Sequence, residues 1–98
     1  MSTWYVGCVE IEGSNYGIWF PDLPGCISAG DSFREIMEMG EEALNGHIAF
    51  MRMDDDPVPV PRTLAQIEAD VSLQKRLAGM FFVNIPLHET APSAIAAE

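Results

Sequence analysis

Basic residues are scarce in this sequence. Five Lys and Arg stand against fifteen Asp and Glu, which gives a formal net charge of −10 at pH 7 with neutral histidines. Nucleic-acid binding depends largely on Lys and Arg that neutralise phosphates and release counterions. We therefore expect no direct nucleic-acid binding by this domain. The charge would attract a basic protein partner, and the alternative is that the acidity serves only solubility.

The sequence also has no long apolar run and little cysteine. No run approaches the ~20 residues that a membrane-spanning helix needs. The N-terminal Met-Ser-Thr-Trp-Tyr-Val lacks the basic segment of a signal peptide, so we expect a cytoplasmic protein without membrane contact. Cys8 and Cys26 both lie in apolar, strand-like settings, which favours two reduced, buried thiols over a disulfide.

Motifs for enzymatic chemistry are missing as well. The sequence has no phosphate-binding loop, dinucleotide fingerprint, zinc-ligand spacing or Gly-x-Ser-x-Gly turn. Asp22 and Asp31 flank turn signals, and the run Asp54–Asp56 lacks the spacing of a calcium-binding loop. His47 lies beside an apolar helical stripe, and a thiol–imidazole pair with Cys26 would lack an orienting third group. We expect no catalytic residues, no bound metal and no cofactor.

Length and composition indicate one globular domain. The chain has 98 residues, of which 48% are hydrophobic, enough for a small core. Aromatic and β-branched runs predict strands at residues 4–11 and 16–20, joined as an antiparallel hairpin by a polar turn. A short apolar run predicts a third strand at 26–29. Residues 80–85 predict a fourth strand, which Pro86 should end.

A long amphipathic helix is the clearest predicted element. Ser32 is a natural N-cap, and Glu35 three residues later completes a capping-box pattern. Gly40 would let the helix lie close to the sheet, and the helix should end at residues 53–56, before Pro57. Apolar residues recur at helical spacing: Phe33, Ile36, Met37, Gly40, Ala43, Leu44, Ile48 and Met51. The opposite, solvated face is acidic: Glu35, Glu38, Glu41 and Glu42.

The rest of the chain should return to the sheet across its surface. Residues 58–62, Val-Pro-Val-Pro-Arg, predict extended chain that wraps the core. Thr63 and Gln66 repeat the capping-box pattern before a short helix at 64–69, and a further turn or two should follow at 71–78. The predicted fold is an α+β, two-layer β-β-β-α-β sandwich.

The predicted domain spans residues 1–87. Residues 88–98, rich in Ala and without periodicity, predict a flexible tail with no evident DNA-binding domain. The first two strands bear more aromatic surface than one helix covers: Trp4, Tyr5, Tyr16, Trp19 and Phe20. We expect part of this surface to stay exposed or to meet a second copy, most simply in a homodimer or a higher homo-oligomer.

Turn-forming residues are concentrated between residues 16 and 31, which we name the signature stretch. Within it, Pro24-Gly25 predicts a type II turn with Gly25 at positive φ. The stretch resembles the HicB-like antitoxin domain, whose pattern it matches at Tyr16, Phe20, Pro21, Asp22, Leu23, Pro24, Gly25, Cys26, Ser28, Gly30 and Asp31. We interpret these residues as fold-determining.

The resemblance implies a β-β-β-α-β fold similar to a reduced ribonuclease H fold without catalytic function. It also implies an antitoxin that neutralises a small, basic, mRNA-cleaving HicA-type toxin. The alternatives are a solo HicB-like structural or ligand-binding domain without a toxin partner, and a degenerate ribonuclease H-like nuclease. The candidate toxin-binding residues form two groups that the sequence leaves unranked, on the helix and after it: Glu35, Glu38, Glu41 and Glu42, or Asp54, Asp55 and Asp56.

Overall fold

A four-stranded antiparallel sheet carries the fold in the computed structural model, which describes residues 3–88. The strands are β1 Thr3–Glu12, β2 Asn15–Trp19, β3 Ile27–Gly30 and β4 Phe81–Leu87, in the spatial order β3-β2-β1-β4. The helices follow β3 in the chain and are α1 Phe33–Met53, α2 Leu64–Glu68 and α3 Gln74–Leu77. The predicted α+β fold is thereby confirmed. Apart from His88, the predicted tail lies outside the described residues.

The central strand of the sheet is β1. It forms the predicted hairpin with β2, in which Glu12 pairs with Asn15 and Gly13 takes a positive φ of +63° in the turn. β3 pairs with the other side of β2, and β4 returns antiparallel to the other side of β1. Because β1 has a strand on each side and packing on each face, residues 5–9 are all buried.

One face of the sheet is covered by α1 through the predicted apolar stripe. Gly40 permits a close approach, because a Cβ at that position would lie 2.9 Å from Ile18 Cδ1. Phe33, at the start of the stripe, remains 46% exposed. No helix within residues 3–88 combines the length and apolarity needed to cross a bilayer. The buried positions of α1 meet residues of three strands: Ile36, Gly40, Leu44 and Ile48 against Tyr5, Val9, Ile18 and Ile85.

The second face of the sheet is covered by the chain between α1 and β4. Val6 and Cys8 of β1 pack there with Ile67 of α2 and Leu77 of α3. This second core is smaller than the first. The two helices that cover it, α2 and α3, have only five and four residues. Such short helices owe their stability to packing rather than to helix propensity. The sheet therefore carries apolar contacts on both faces.

The aromatic side chains of the first two strands are mostly covered within the chain. Tyr5 and Phe20 are each 2% exposed, Tyr16 and Trp19 are half-buried, and Trp4 is 48% exposed. The expectation of exposed aromatic surface therefore holds only for Trp4. The aromatic count overestimates the open surface because the short helices and the extended segment cover more of the sheet than one helix could.

Both predicted helix starts are confirmed, with one difference in the contacts. Ser32 Oγ accepts a hydrogen bond from the Glu35 N–H at 3.1 Å, as predicted, but the Glu35 carboxylate accepts from the Asp31 N–H at 2.6 Å rather than from Ser32. The full capping box occurs at α2. There Thr63 and Gln66 satisfy each other's backbone N–H groups at 2.8 and 3.2 Å.

The prediction that Pro86 ends the fourth strand is wrong, because β4 continues to Leu87. Proline is tolerated here since β4 lies at an edge of the sheet. The Pro86 carbonyl accepts a hydrogen bond at 3.1 Å from the side-chain amide of Asn45 on α1, so its backbone polar groups face away from β1. Because the backbone of Pro86 points away from β1, its missing N–H costs no hydrogen bond between the two strands.

Candidate functional site

The signature stretch forms two consecutive turns between β2 and β3. The Leu23 N–H donates to the Phe20 carbonyl, and the Cys26 N–H donates to the Leu23 carbonyl, each at 3.0 Å. Proline occupies the second position of both turns, and Gly25 has a φ of +89°, which confirms its predicted positive φ. Because Phe20, Leu23 and Cys26 are buried in the core under α1, the turns insert three side chains into it.

Asp22, between the two turns, binds an arginine that lies 40 positions further along the chain. The Asp22 side chain is 6% exposed. Its two oxygens accept hydrogen bonds from the Arg62 N–H at 2.7 Å and from Arg62 Nε–H at 2.6 Å. The same guanidinium donates to Asp70 Oδ2 at 3.0 Å. Arg62 thereby joins the signature stretch to the chain that covers the second face of the sheet.

The hydrogen bonds of this network stabilise the charged forms of Arg62 and Asp70. Hydrogen bonds to Asp22 and Asp70 raise the pKa of Arg62. Hydrogen bonds from the Ser72 hydroxyl and from Arg62 lower the pKa of Asp70 below its usual range. Because Arg62 engages both oxygens of Asp22, that carboxylate is committed to an ion pair and is not open to a metal ion or a substrate.

The end of the signature stretch leads directly into α1. Gly30 has little room for a side chain, because a Cβ there would lie 3.1 Å from Glu35 Cγ. Asp31 is exposed and donates its N–H to the helix start, while Tyr16 and Ser28 are half-buried on β2 and β3. The contacts of the stretch that we describe are internal to the chain. Its interpretation as fold-determining stays a prediction that substitutions can test.

Neither cysteine has the properties of a nucleophile. Cys8 and Cys26 are free and buried, and burial raises the pKa of each thiol to about 11, with the charge of Arg76 opposing the effect at Cys8. A reactive thiol needs a lowered pKa, so a catalytic pair of Cys26 with His47 has no support. Among residues 3–88, no three His, Cys, Asp or Glu side chains converge so that they could hold a metal ion.

The acidic face of α1, the first group of candidate partner-binding residues, is partly occupied by contacts within the chain. Glu35 accepts the hydrogen bond at the helix start, and Glu41 contacts the imidazole of His88, just after β4. Glu38 and Glu42 are exposed. A shallow cleft of about 350 Å³ lies beside this contact and is lined by Glu38, Glu41, Glu42, Asn45 and His88. Two of the four carboxylates are thus already engaged.

The second group of acids lies where α1 ends, beside exposed apolar side chains. We name Phe50, Met53 and Asp54–Asp56 the acidic helix end. Phe50 is 64% exposed and Met53 is 81% exposed, and all three aspartates are exposed. The chain leaves the helix through Asp55, at a φ of +57°, and the Asp56 N–H donates back to the last turn at 2.9 Å.

The acidic helix end contains features that do not favour folding. The C-terminal end of a helix dipole repels carboxylates, and a positive φ is uncommon outside glycine, although aspartate tolerates it better than most residues. Phe50 and Met53 bury little surface within the chain. Local conflicts of this kind are typical of surfaces retained for function. Apolar side chains beside a charged rim also resemble the anatomy of protein–protein interfaces.

Comparison with known families matches residues 5–95 to the HicB-like antitoxin of bacterial toxin–antitoxin systems. A 14.9 kDa protein from the rep-hol intergenic region of Haemophilus phage HP1 is 39% identical over 62 residues, which is 63% of this chain. Antitoxin HicB 1 of Photorhabdus laumondii is 33% identical over 63 residues, or 64% of this chain. The matched part spans 47% and 41% of these two relatives, less than half of their length.

Solved structures similar to this chain share its fold. The N-terminal domain of the Burkholderia pseudomallei antitoxin HicB superposes with a TM-score of 0.71 at 21% identity, covering 88% of this chain and 99% of that one. Antitoxin HicB3 gives a TM-score of 0.72 at 23% identity, covering 91% and 65%. A HicA3 and HicB3 toxin–antitoxin complex contains a chain that matches with a TM-score of 0.70 at 24% identity, covering 88% and 99%.

Proposed function

The chain belongs to the HicB-like antitoxins of bacterial toxin–antitoxin systems, and from this membership we propose that it binds and neutralises a small, basic, mRNA-cleaving HicA-type toxin. The match to the family over residues 5–95 is the observation that carries the proposal. A structural relative occurs in a HicA3 and HicB3 toxin–antitoxin complex, which supports a partner of this type. We further propose that the chain is not itself an enzyme and that this domain does not bind nucleic acid.

The physical basis of the proposal is competition for one surface. A ribonuclease must present Lys and Arg to the phosphates of RNA. A protein with a net charge of −10 attracts the same side chains, and complementary charge speeds the encounter of the two proteins. The antitoxin would therefore act by occupying the RNA-binding surface of the toxin, without a chemical step of its own.

Of the two acidic groups, the acidic helix end has the stronger case as the toxin-binding surface. Its three aspartates are exposed, whereas Glu35 and Glu41 on the helix face already have contacts within the chain. It also offers the exposed side chains of Phe50 and Met53. Binding energy at interfaces is concentrated in apolar anchors that lose their water, with charges at the rim governing the encounter.

Charge removal at the acidic helix end tests this assignment. Asp54→Asn, Asp55→Asn and Asp56→Asn together keep side-chain size, and asparagine tolerates the positive φ of residue 55. The triple variant is co-expressed with a small basic HicA-type toxin from the native host, and growth and co-purification are measured. We expect the wild-type chain to restore growth and the triple variant to lose roughly tenfold in affinity, since exposed charges contribute ~0.5 kcal/mol each.

The matched control is Glu38→Gln with Glu42→Gln, which removes exposed charge from the helix face and leaves Glu35 and Glu41 in place. We expect this variant to bind nearly as well as the wild-type chain. A loss confined to the glutamine variant would assign the toxin to the helix face instead. If no basic protein co-purifies from the native host, the antitoxin proposal fails and the solo-domain alternative is favoured.

A separate assay addresses the nuclease alternative. We expect the purified chain to leave RNA intact in Mg²⁺ or Mn²⁺, because Asp22 is held by Arg62 and no three acidic, His or Cys side chains within residues 3–88 converge so that they could hold a metal ion. Cleavage that rises with protein concentration and disappears in Asp31→Asn would contradict the non-enzymatic proposal. Asp31→Asn is preferred to a change at Asp22 because the exposed Asp31 side chain can be altered without breaking an ion pair.

A further inference from the structure

The outer edge of β4 carries backbone groups that have no strand beside them among residues 3–88. Neighbouring residues of a strand turn their N–H and C=O groups to opposite sides. The Pro86 carbonyl accepts from Asn45, on α1 and outside the sheet. Pro86 therefore faces outwards, and the alternation places the backbone groups of Phe82 and Asn84 on the same outer side.

This edge is closed at one end and open at the other. At the closed end Pro86 lacks an N–H, and the Asn45 side chain binds the Pro86 carbonyl and accepts from the His88 N–H at 2.8 Å. At the open end Asn84 is exposed and Phe81 is 57% exposed. Proteins usually blunt an exposed edge with proline, charge or a covering side chain. Here those devices protect the Pro86 end, and within residues 3–88 no strand pairs with the outer side of Phe82–Asn84.

The open edge is also free of charge, in a strongly acidic molecule. Residues 81–87 of β4 contain no charged side chain, and neither do residues 3–9 of β1, which pair with them. A second copy carries the same net charge of −10, so repulsion between two copies is smallest where carboxylates are absent. The other edge strand, β3, has four residues and is followed directly by Asp31. Charge therefore selects β4 over β3 for contact between copies.

A groove beside the edge offers room for side chains of a second copy. It has a volume of about 460 Å³, and its lining includes Trp4, Val6, Leu64 and Asn84, together with Arg62, whose charge is paired with Asp22 and Asp70. Trp4 is 48% exposed there. Because Asn84 pairs with Val6 and Phe82 pairs with Cys8, Phe82 and Asn84 point to the same face of the sheet. A Phe82 side chain placed opposite Asn84 would thus stand at the mouth of the groove.

We propose that two copies of this chain pair antiparallel through their β4 edges, with the two-fold axis at Val83. In this register Phe82 of each copy exchanges backbone hydrogen bonds with Asn84 of the other, and the two sheets become continuous. With the axis at Val83, residues 81–85 of the two β4 strands lie opposite each other, so the paired segment is only ~17 Å long and the interface should be well below the ~800 Å² per copy of a standard interface. The dimer should therefore dissociate in the micromolar range.

Cross-linking at the proposed axis tests the register. Val83 would face Val83 of the second copy as a non-hydrogen-bonded pair, with Cα atoms ~4.5 Å apart, which suits a disulfide. We expect Val83→Cys to form a covalent dimer under mild oxidation. The control Ala29→Cys, on the exposed β3 edge, should stay monomeric on a non-reducing gel. The native Cys8 and Cys26 should not interfere, because both are buried.

Asn84→Pro provides a second test, since it removes an N–H that faces outwards and leaves the β1–β4 hydrogen bonds intact. Sedimentation should show the wild-type chain dimerising with concentration, and the variant dimerising at least tenfold more weakly with unchanged circular dichroism. Equal cross-linking at Ala29→Cys, or a wild-type monomer at ~100 μM, would overturn the proposal. A monomer in which the backbone N–H groups of Phe82 and Asn84 exchange slowly with solvent would also overturn it, because residues of the same chain would then cover the edge. Neither test depends on the toxin.

Discussion

Arg62 is one of five basic residues in the chain, and its guanidinium lies between Asp22 and Asp70. We predict that Arg62→Ala lowers the free energy of unfolding by about 2 kcal/mol, because the Asp22 carboxylate, 6% exposed, would lose its cation. The cost stays below the roughly 3–5 kcal/mol of a fully buried pair because the Arg62 side chain is 34% exposed. Urea denaturation measures the change.

A double-mutant cycle identifies the source of that loss. Asp22→Asn removes the charge that Arg62 neutralises, so Arg62→Ala should cost much less in this background than in the wild-type chain. Strictly additive losses would contradict an ion pair and would assign the effect to packing of the Arg62 side chain. Arg34→Ala, on the exposed surface of α1, is the control for removing an arginine from an acidic protein.

Gly25 tests backbone strain in the signature stretch. Its φ is +89°, and a Cβ there would meet no atom within 4 Å, so a side chain fits in space but not in backbone conformation. We predict that Gly25→Val destabilises the fold by roughly 1–3 kcal/mol, measured by thermal or urea unfolding. Gly46→Val is the matched control, because Gly46 also has open space around it but lies inside α1 with ordinary helical φ. Equal losses at both sites would refute the strain argument.

At the scale of whole elements, the closeness of α1 to the sheet depends on Gly40. Alanine is the better helix former by about 1 kcal/mol, but its Cβ would lie 2.9 Å from Ile18 Cδ1, and a side chain at Gly7 would be even closer to that atom. We predict that Gly40→Ala loses about 1 kcal/mol of unfolding free energy, because overpacking outweighs the gain in propensity. Ile18→Val deletes Cδ1 and should make Gly40→Ala neutral or stabilising. The exposed Gly46→Ala should stabilise the protein in either background.

Elements set by local sequence could be predicted, and contacts between distant residues could not. The N-caps at Ser32 and Thr63 and the turn at Gly25 follow from patterns of a few residues, and all three occur where the sequence places them. The pairing of Arg62 with Asp22 joins residues 40 positions apart, and no local signal records it. Pro86 alone predicts a strand end, because the sequence does not reveal that β4 is an edge strand.

The candidate site shows the same division. The sequence identifies both acidic groups, because charge is visible in composition and helical periodicity. It cannot rank them, since the ranking depends on the capping contact of Glu35, the contact of Glu41 with His88 and the exposure of Phe50. These are properties of the folded chain. The open edge of β4 was missed for a related reason, because strand order is a property of the whole sheet.

At the scale of the whole molecule, the fold separates three kinds of surface. The signature stretch places Phe20, Leu23 and Cys26 in the core, the exposed acids Glu38 and Glu42 and the acidic helix end face solvent, and β4 offers an edge without charged side chains. A basic toxin and a second copy would therefore use different surfaces. This separation predicts that Asn84→Pro weakens self-association but leaves the binding of toxin to a single copy intact. Co-purification of the toxin with the variant and with the wild-type chain, at equal protein level, measures this.

The most direct measurement of toxin neutralisation is RNA cleavage by a small basic HicA-type toxin from the native host, titrated with the purified chain at low and high salt. We predict that cleavage falls to background at a fixed molar ratio, and that more of this chain is needed as ionic strength rises, because charge complementarity drives the encounter. Cleavage that continues unchanged at a large excess of this chain, in low salt, would contradict the claim that it neutralises such a toxin.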